Sequence, residues 1–440
     1  MPIPPTDSIK GMSFLIAFAI LLSTLQLVQS LYSSYLRIYA WNQDRSAQYG
    51  APRRLIKPEK SFTVLLPARH EEDVIAHTIE GIARANYPQK LLEIVVICRQ
   101  DDTGTIQVTR NTIAELKAKG HHNISLIIFS DFPINKPHGC NVALRCTSNE
   151  VVTLFDAEDQ VHPDIFNVVN TIMVKEDYRV VQAGVQLMNF DTTWFSVHNV
   201  LEYFFWFKST LYYYAEMGLI PLGGNTVFFD RSLLEQLGGW DETCLTEDAD
   251  IGIRLSVLNE RVRVVYEDIY VTKEETPPDV VQFIRQRSRW NQGFLQILKR
   301  GHYFALPRLQ RLVALYTLSF PLLQAITLAY IPLSIYTIFF VKVSSPIALY
   351  LCIPAYVLLG HVILSLLALY EFSKAHRLRV GPFDYLSLIL TYLPYQVLLG
   401  IGAFRGAWRE ISGNQTWEKT RHVNAHRHRR RQTGVRRSSP

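Results

Sequence analysis

Four long apolar runs interrupt an otherwise mixed pattern. The first, from Met12 to Leu36, includes Thr24; the others span Leu312–Val341, Pro346–Tyr370 and Tyr385–Phe404. Each reaches or exceeds the ~20 apolar residues that cross a bilayer. The first is too long for a signal-peptide core and lacks a clean small-x-small cleavage site, so a retained anchor is expected. Between the first two runs, short β-branched strings recur at Phe62–Leu66, Glu93–Ile97, Ser125–Phe129, Val151–Phe155 and Arg179–Ala183. Helix-like segments such as Asp73–Ala85 and Thr103–Lys119 separate the first four. This alternation predicts an α/β unit with a mostly parallel, doubly wound sheet. The predicted organisation is an anchor over 12–36, an α/β domain over 45–301, transmembrane or interfacial helices over 309–405 and a basic tail over 406–440.

Composition agrees with membrane insertion: 48% of the 440 residues are hydrophobic and 19% charged, low for a wholly soluble chain. The five cysteines (Cys98, Cys140, Cys146, Cys244 and Cys352) form no CxxC pair, which fits a reducing compartment. Basic residues cluster at Arg37, Arg45, Arg53 and Arg54, in Lys374–Arg379 and in Arg427–Arg431. The positive-inside rule places all three clusters, and the central domain, on the cytosolic side. Three full crossings after that domain would export the tail, so one run is expected to be re-entrant or interfacial; the sequence does not say which. The net charge of +6 sits mostly in the tail and points to anionic lipid headgroups, not nucleic acid.

Ligands of doubly wound sheets bind beyond the carboxyl ends of the strands. There this chain carries PARHEE (Pro67–Glu72), CRQDDTGT (Cys98–Thr105) and DAEDQ (Asp156–Gln160). Such acids also serve as caps and solvated loop residues, but three sets directly after buried strands suit a divalent cation with substrate phosphates. No GxxxxGK[ST] or GxGxxG follows the first strand, which disfavours nucleotide triphosphatases and dinucleotide oxidoreductases. Thr246 is placed to cap a helix whose first turn holds Glu247, Asp248 and Asp250. Capping and dipole compensation would explain those acids, and so would a general base at a helix start. In RQRSRWNQG (Arg285–Gly293), helical spacing sets Gln286, Arg289 and Trp290 on one face. Membrane anchoring accounts for Arg and Trp there as well as a sugar-phosphate cradle does, and Arg287 is read as the collar residue.

Together, in order, DD, DAED, TED and QxxRW resemble the membrane-bound, inverting family 2 glycosyltransferases, the group that includes cellulose and hyaluronan synthases. The resemblance runs from about Phe62 to Trp290 and on to WEKTRH (Trp417–His422). It implies a GT-A-type, Rossmann-like nucleotide-sugar-binding domain inserted between transmembrane helices. It makes Asp101, Asp102, Glu71, Lys136, Gln286, Arg289 and Trp290 donor-binding residues and Asp248 the general base. Glu247, Gly224 and Trp290 are implied at the acceptor, and Asp156, Glu158 and Asp159 around Mg²⁺ or Mn²⁺. Glu158 stands where many members have aspartate, and His70 replaces an asparagine often found before Glu71. Pro67 and Asn141 fall at further family positions.

The expectation is a multi-pass enzyme of the bacterial plasma membrane with its catalytic domain in the cytosol. It would transfer a sugar, glucose favoured, from a UDP-sugar to a growing polysaccharide; the alternative is a single transfer to a membrane lipid. Partners implied are the UDP-sugar donor (UDP-glucose), a glycan or lipid acceptor, membrane lipids and either a second copy or an export partner. No FxVT-type gating segment lies near Lys374, and the tail is too short for a cyclic-dinucleotide sensor, so regulation of that kind is not expected.

Overall fold

The computed structural model describes residues 6–41, 48–341, 343–416, 418–420 and 422–427. Arg45, Trp417, Arg421 and the basic residues after Arg427 lie outside them. The chain opens with helix α1 (Thr6–Ile38). Strands β1 (Phe62–Ala68), β2 (Leu92–Arg99), β3 (Ile124–Phe129) and β4 (Val151–Leu154) then alternate with α2 (Ile75–Ala83), α3 (Thr103–Ala118) and α4 (Lys136–Leu144). Next come α5 (Ile165–Lys175), β5 (Val180–Ala183), β6 (Val185–Leu187), α6 (Ser196–Phe205) and α7 (Leu211–Glu216). The domain closes with β7 (Val227–Asp230), α8 (Arg231–Gln236), α9 (Glu247–Val257), β8 (Val262–Val265), β9 (Thr272–Glu274) and α10 (Val280–Arg300).

Among the described residues the main sheet runs β3-β2-β1-β4-β7-β5-β8, with β6 and β9 paired beside it. The β1, β2, β3 and β4 pairs are parallel, whereas β7 runs antiparallel between β4 and β5. Both faces are buried, as alternate residues show. Leu65, Val95, Ile97 and Val152 pack on one side; Val64, Leu66, Ile94 and Val96 pack on the other. The strand expectations therefore hold, with β7 and β8 added to the main sheet and β6 and β9 beside it.

Helices α11 (Arg308–Phe340), α12 (Ser345–Ala375) and α13 (Pro382–Ile411) follow. With α1 they are long and apolar enough to cross a bilayer, and they flank the α/β domain as a multi-pass membrane protein requires. Helix α13 also stays against that domain for most of its length. Thr391 hydrogen-bonds His198 at 2.8 Å, and Tyr395 donates to Glu202 at 2.7 Å. Near its end Glu410 accepts from Lys299 at 2.6 Å. The close seat depends on two glycines: a Cβ at Gly402 would lie 2.8 Å from Arg287 Cβ, and one at Gly406 2.7 Å from the Ser288 carbonyl.

Candidate active site

One cavity of about 1330 Å³ opens at the carboxyl ends of β1 and β4 and continues between α1, α11, α12 and α13. Asp156, just past β4, meets the Lys136 ammonium at 2.5 Å; that ammonium also donates to the Gly224 carbonyl at 3.2 Å. Asp248 lies on the other side of Gly224, where a Cβ would come within 3.3 Å of its Oδ2. Thus Lys136, Asp156, Gly224 and Asp248 form one continuous patch. Helix α9 begins at Glu247 as expected, although the Thr246 hydroxyl makes no cap bond. It faces α10 instead, and a Cβ at Gly293 would strike its Oγ1.

Burial pushes both neighbouring carboxyls up. Glu247 rises to about 7, with the Asp248 charge as second cause, and Asp248 rises in the same direction. Lys136 and Arg289 oppose the shift in both. Such a raised carboxyl suits a general base, because it grips an incoming proton more tightly than an ordinary one.

Helix α10 starts where the sequence placed it: Asp279 accepts the Gln282 N–H at 2.9 Å. Gln286, Arg289 and Trp290 all line the cavity, as does Glu247. Gln286 Oε1 is buried with no hydrogen-bond partner among the described residues, a poised acceptor. Arg287 differs from its expected role as a membrane collar. Its guanidinium pairs with Glu202 at 2.5 Å and lies 4.7 Å from the Trp290 ring centroid, bracing that indole.

Other expected residues stand back from the cavity. Asp102 caps α3 by accepting from Thr105 N–H and ties down the β1 loop by accepting from His70 N–H at 2.6 Å. Burial opposes ionisation there, but these bonds prevail and hold its carboxyl below the usual range. Asp101 is held by Arg99 at 2.6 Å, and it is Arg99 and Arg69 that line the cavity. Asn141 braces the Trp240 turn through bonds at 2.8 and 3.0 Å. Asp159 turns inward, accepting from Asp156 N–H and Asn225 Nδ2 at 2.8 Å each.

The sequence reading named no site role for the C-terminal segment or for Glu274. Glu71 and Glu158 are joined by His422, and one ligand atom from each lies within 4.8 Å of the others. Lys419 reaches Glu71 at 3.0 Å. Burial lowers the affinity of His422 for a proton, but Glu158 and Glu71 reverse this and raise it well above the ordinary value. Burial, then Asp156 and Glu158, push Glu274 up to about 8, and burial followed by Glu274 raises Asp159. This surplus of buried negative charge, with two carboxylates and an imidazole converging, fits a divalent cation.

Residues 58–293, more than half of the chain, match the model of the glycosyltransferase-like family 2. The chain belongs to that family. Among curated relatives of this glycosyltransferase, the beta-monoglucosyldiacylglycerol synthase of Nostoc sp. is 27% identical over 237 residues, covering 53% of this chain and 49% of the relative. The chain thus spans about half the length of that relative. The poly-beta-1,6-N-acetyl-D-glucosamine synthase of Staphylococcus epidermidis is 23% identical over 327 residues, covering 72% and 73%. Among solved structures, a mannosyltransferase from Pyrobaculum calidifontis, in complex with GDP-Man and Mn²⁺, superposes with a TM-score of 0.60 at 18% identity, covering 91% of this chain and 99% of its own. That likeness supports the glycosyltransferase fold alone.

Proposed function

We propose that this enzyme transfers a single hexose, glucose favoured, from a UDP-sugar to the hydroxyl of a membrane lipid, with inversion. The observation that carries this reading is the continuity of the cavity. It runs from Asp248 and Trp290 to Phe320 and Ile331 on α11 and Leu358 on α12, so an acceptor can keep its acyl chains among membrane helices while its headgroup meets the base. The diacylglycerol-glucosylating relatives agree with it.

In this reading Lys136, Gln286 and Arg289 hold the donor diphosphate, and Arg289 offsets the charge that grows on it as the glycosidic bond breaks. Asp248 removes the acceptor proton as the oxygen attacks the opposite face of the anomeric carbon. Trp290, braced by Arg287, offers its face to a sugar ring. Glu71, Glu158 and His422 would hold Mg²⁺ or Mn²⁺, which when bound supplies Lewis-acid stabilisation of the leaving diphosphate.

The deciding experiment supplies radiolabelled UDP-glucose and diacylglycerol to the purified enzyme in lipid nanodiscs. One sugar per organic-extractable lipid is expected. Label confined to a high-mass, water-soluble polymer would replace this reading with chain elongation, which the longer match to the poly-N-acetylglucosamine synthase favours.

A further inference from the structure

Helices α6 and α13 meet through two rungs. His198 and Glu202, one turn apart on α6, face Thr391 and Tyr395, one turn apart on α13. In the first rung His198 Nε2 lies 2.8 Å from the Thr391 hydroxyl, and the imidazole stacks on the Tyr395 ring at 4.7 Å. In the second the Tyr395 hydroxyl donates to Glu202 Oε2 at 2.7 Å. The same Oε2 accepts from the Arg287 guanidinium at 2.5 Å, so one carboxylate oxygen joins α13 to α10. Asn199, also on α6, is a second acceptor for that guanidinium. The cation is thereby held beside two rings of its own helix, 4.9 Å from the Phe283 centroid and 4.7 Å from that of Trp290. Tyr395 is 2% exposed and stands behind the cavity wall, which Glu202, Arg287 and Trp290 all help to form. The contacts from α13 to the indole are unbroken: hydroxyl, carboxylate, guanidinium, ring.

We infer that Tyr395 and Glu202 are positioning residues for the acceptor side of the site. Tyr395 fixes the Glu202 carboxylate, Glu202 fixes the Arg287 guanidinium, and that cation sets the plane of the Trp290 indole. A hydroxyl donating to a carboxylate is charge-assisted and directional, so it decides where Oε2 points. A cation against an aromatic face restrains the ring in turn. The seat of α13 on the catalytic domain is in this way felt at the sugar-facing indole. The inference rests on the proposed acceptor role of Trp290 for its kinetic arm alone.

The test uses the full chain in lipid nanodiscs, labelled with fluorotryptophan, with the Trp290 fluorine resonance assigned by Trp290→Phe. Tyr395→Phe keeps the ring on His198 and removes only the hydroxyl. It should shift the Trp290 resonance while that of Trp240 stays in place. It should also raise the KM for diacylglycerol roughly 2–5-fold, the size of one cation–π contact, with the KM for UDP-glucose unchanged. Glu202→Gln keeps an acceptor for Tyr395 but loses the charge that holds Arg287; it should do the same, and it carries the test if Tyr395→Phe does not fold. Thr391→Val removes the other rung of the same helix pair and should move neither the resonance nor the KM. A parent-like Trp290 resonance, or a parent-like diacylglycerol KM in a variant that turns over, would overturn the inference. So would an equal shift in Thr391→Val, which would make the α6–α13 contact structural only. The resonance is read without substrate, so absence of turnover with diacylglycerol would fail the lipid reading and leave this inference to stand or fall on the spectrum.

Discussion

Asp248 and Glu247 are adjacent, Glu247 buried and Asp248 half-buried at the cavity wall, and they are served by the same two cations, Lys136 and Arg289. Asp248→Asn should abolish turnover while UDP-sugar binding persists, measured by calorimetry alongside product formation; unchanged turnover would remove Asp248 as the base. Because the base must be ionised, activity should fall as pH drops through a value above the ordinary carboxylate range. Glu247 already carries its proton below about 7, so Glu247→Gln should leave that limb in place in a kcat/KM profile, and a shifted limb would show that the two carboxyls share their titration. The same variant tests linkage. Glu247 holds a proton up to about 7 in the fold but only to 4.5 as an ordinary carboxyl, so the folded state binds more protons in that window. Stability is then fullest below it and falls as pH rises through it, a slope Glu247→Gln should flatten in thermal scans. Lys136, Asp156, Asp248, Gln286, Arg289 and Trp290 were named from spacing and resemblance, and the fold gathers them in one cavity. His422 was not legible in this way: local spacing carries no signal for a tail whose Arg427 meets Glu158 across 269 positions. The inward turn of Asp159 depends equally on Asn225, from a distant loop.

At the scale of elements, α10 joins chemistry to membrane. Its start, length and face followed from an Asp cap and helical spacing, which are local rules. The misread residue, Arg287, shows what those rules omit: an arginine beside a membrane run has no stated destination until α6 offers Glu202. Removing it would leave Glu202 without its cation and Trp290 without its brace. The seat of α13 on α10 is more sensitive still, because Gly406 faces backbone, which cannot rotate away. Gly406→Ala should cost ~1–3 kcal/mol as an overpacked contact, with a lowered thermal midpoint and reduced kcat. A variant with the parent's midpoint would show that the helices can part without harm.

For the whole molecule, charge placement posed a conflict that hydropathy left open, since all four runs pass as membrane spans by length and composition. Contacts now suggest which run departs. Phe372, near the end of α12, packs on Phe204 of the catalytic domain at 5.9 Å between ring centroids, so the chain is already on the catalytic side before α13 begins. After α13 the tail reaches Glu71, Glu158 and Glu275 of that domain. In between, Leu386, Leu390, Leu393, Ile401, Phe404 and Trp408 are exposed on the side of α13 turned from α10. Their spacing of three, four and, from Leu393 to Ile401, eight residues keeps them on one apolar stripe, the pattern of a helix lying in the headgroup boundary. We therefore expect α1, α11 and α12 to cross and α13 to lie along the catalytic face, which reconciles the basic clusters with one side. In a cysteine-free background, Ser412→Cys should react with an impermeant thiol reagent only from the catalytic side. Ser344→Cys, in the turn between α11 and α12, should react only from the other. Labelling of both from the same side would make α13 a full crossing and detach the tail from the donor site. In that event Asn414, in NQT, would face the compartment where glycosylation occurs, and its modification in a eukaryotic host would report the same failure independently.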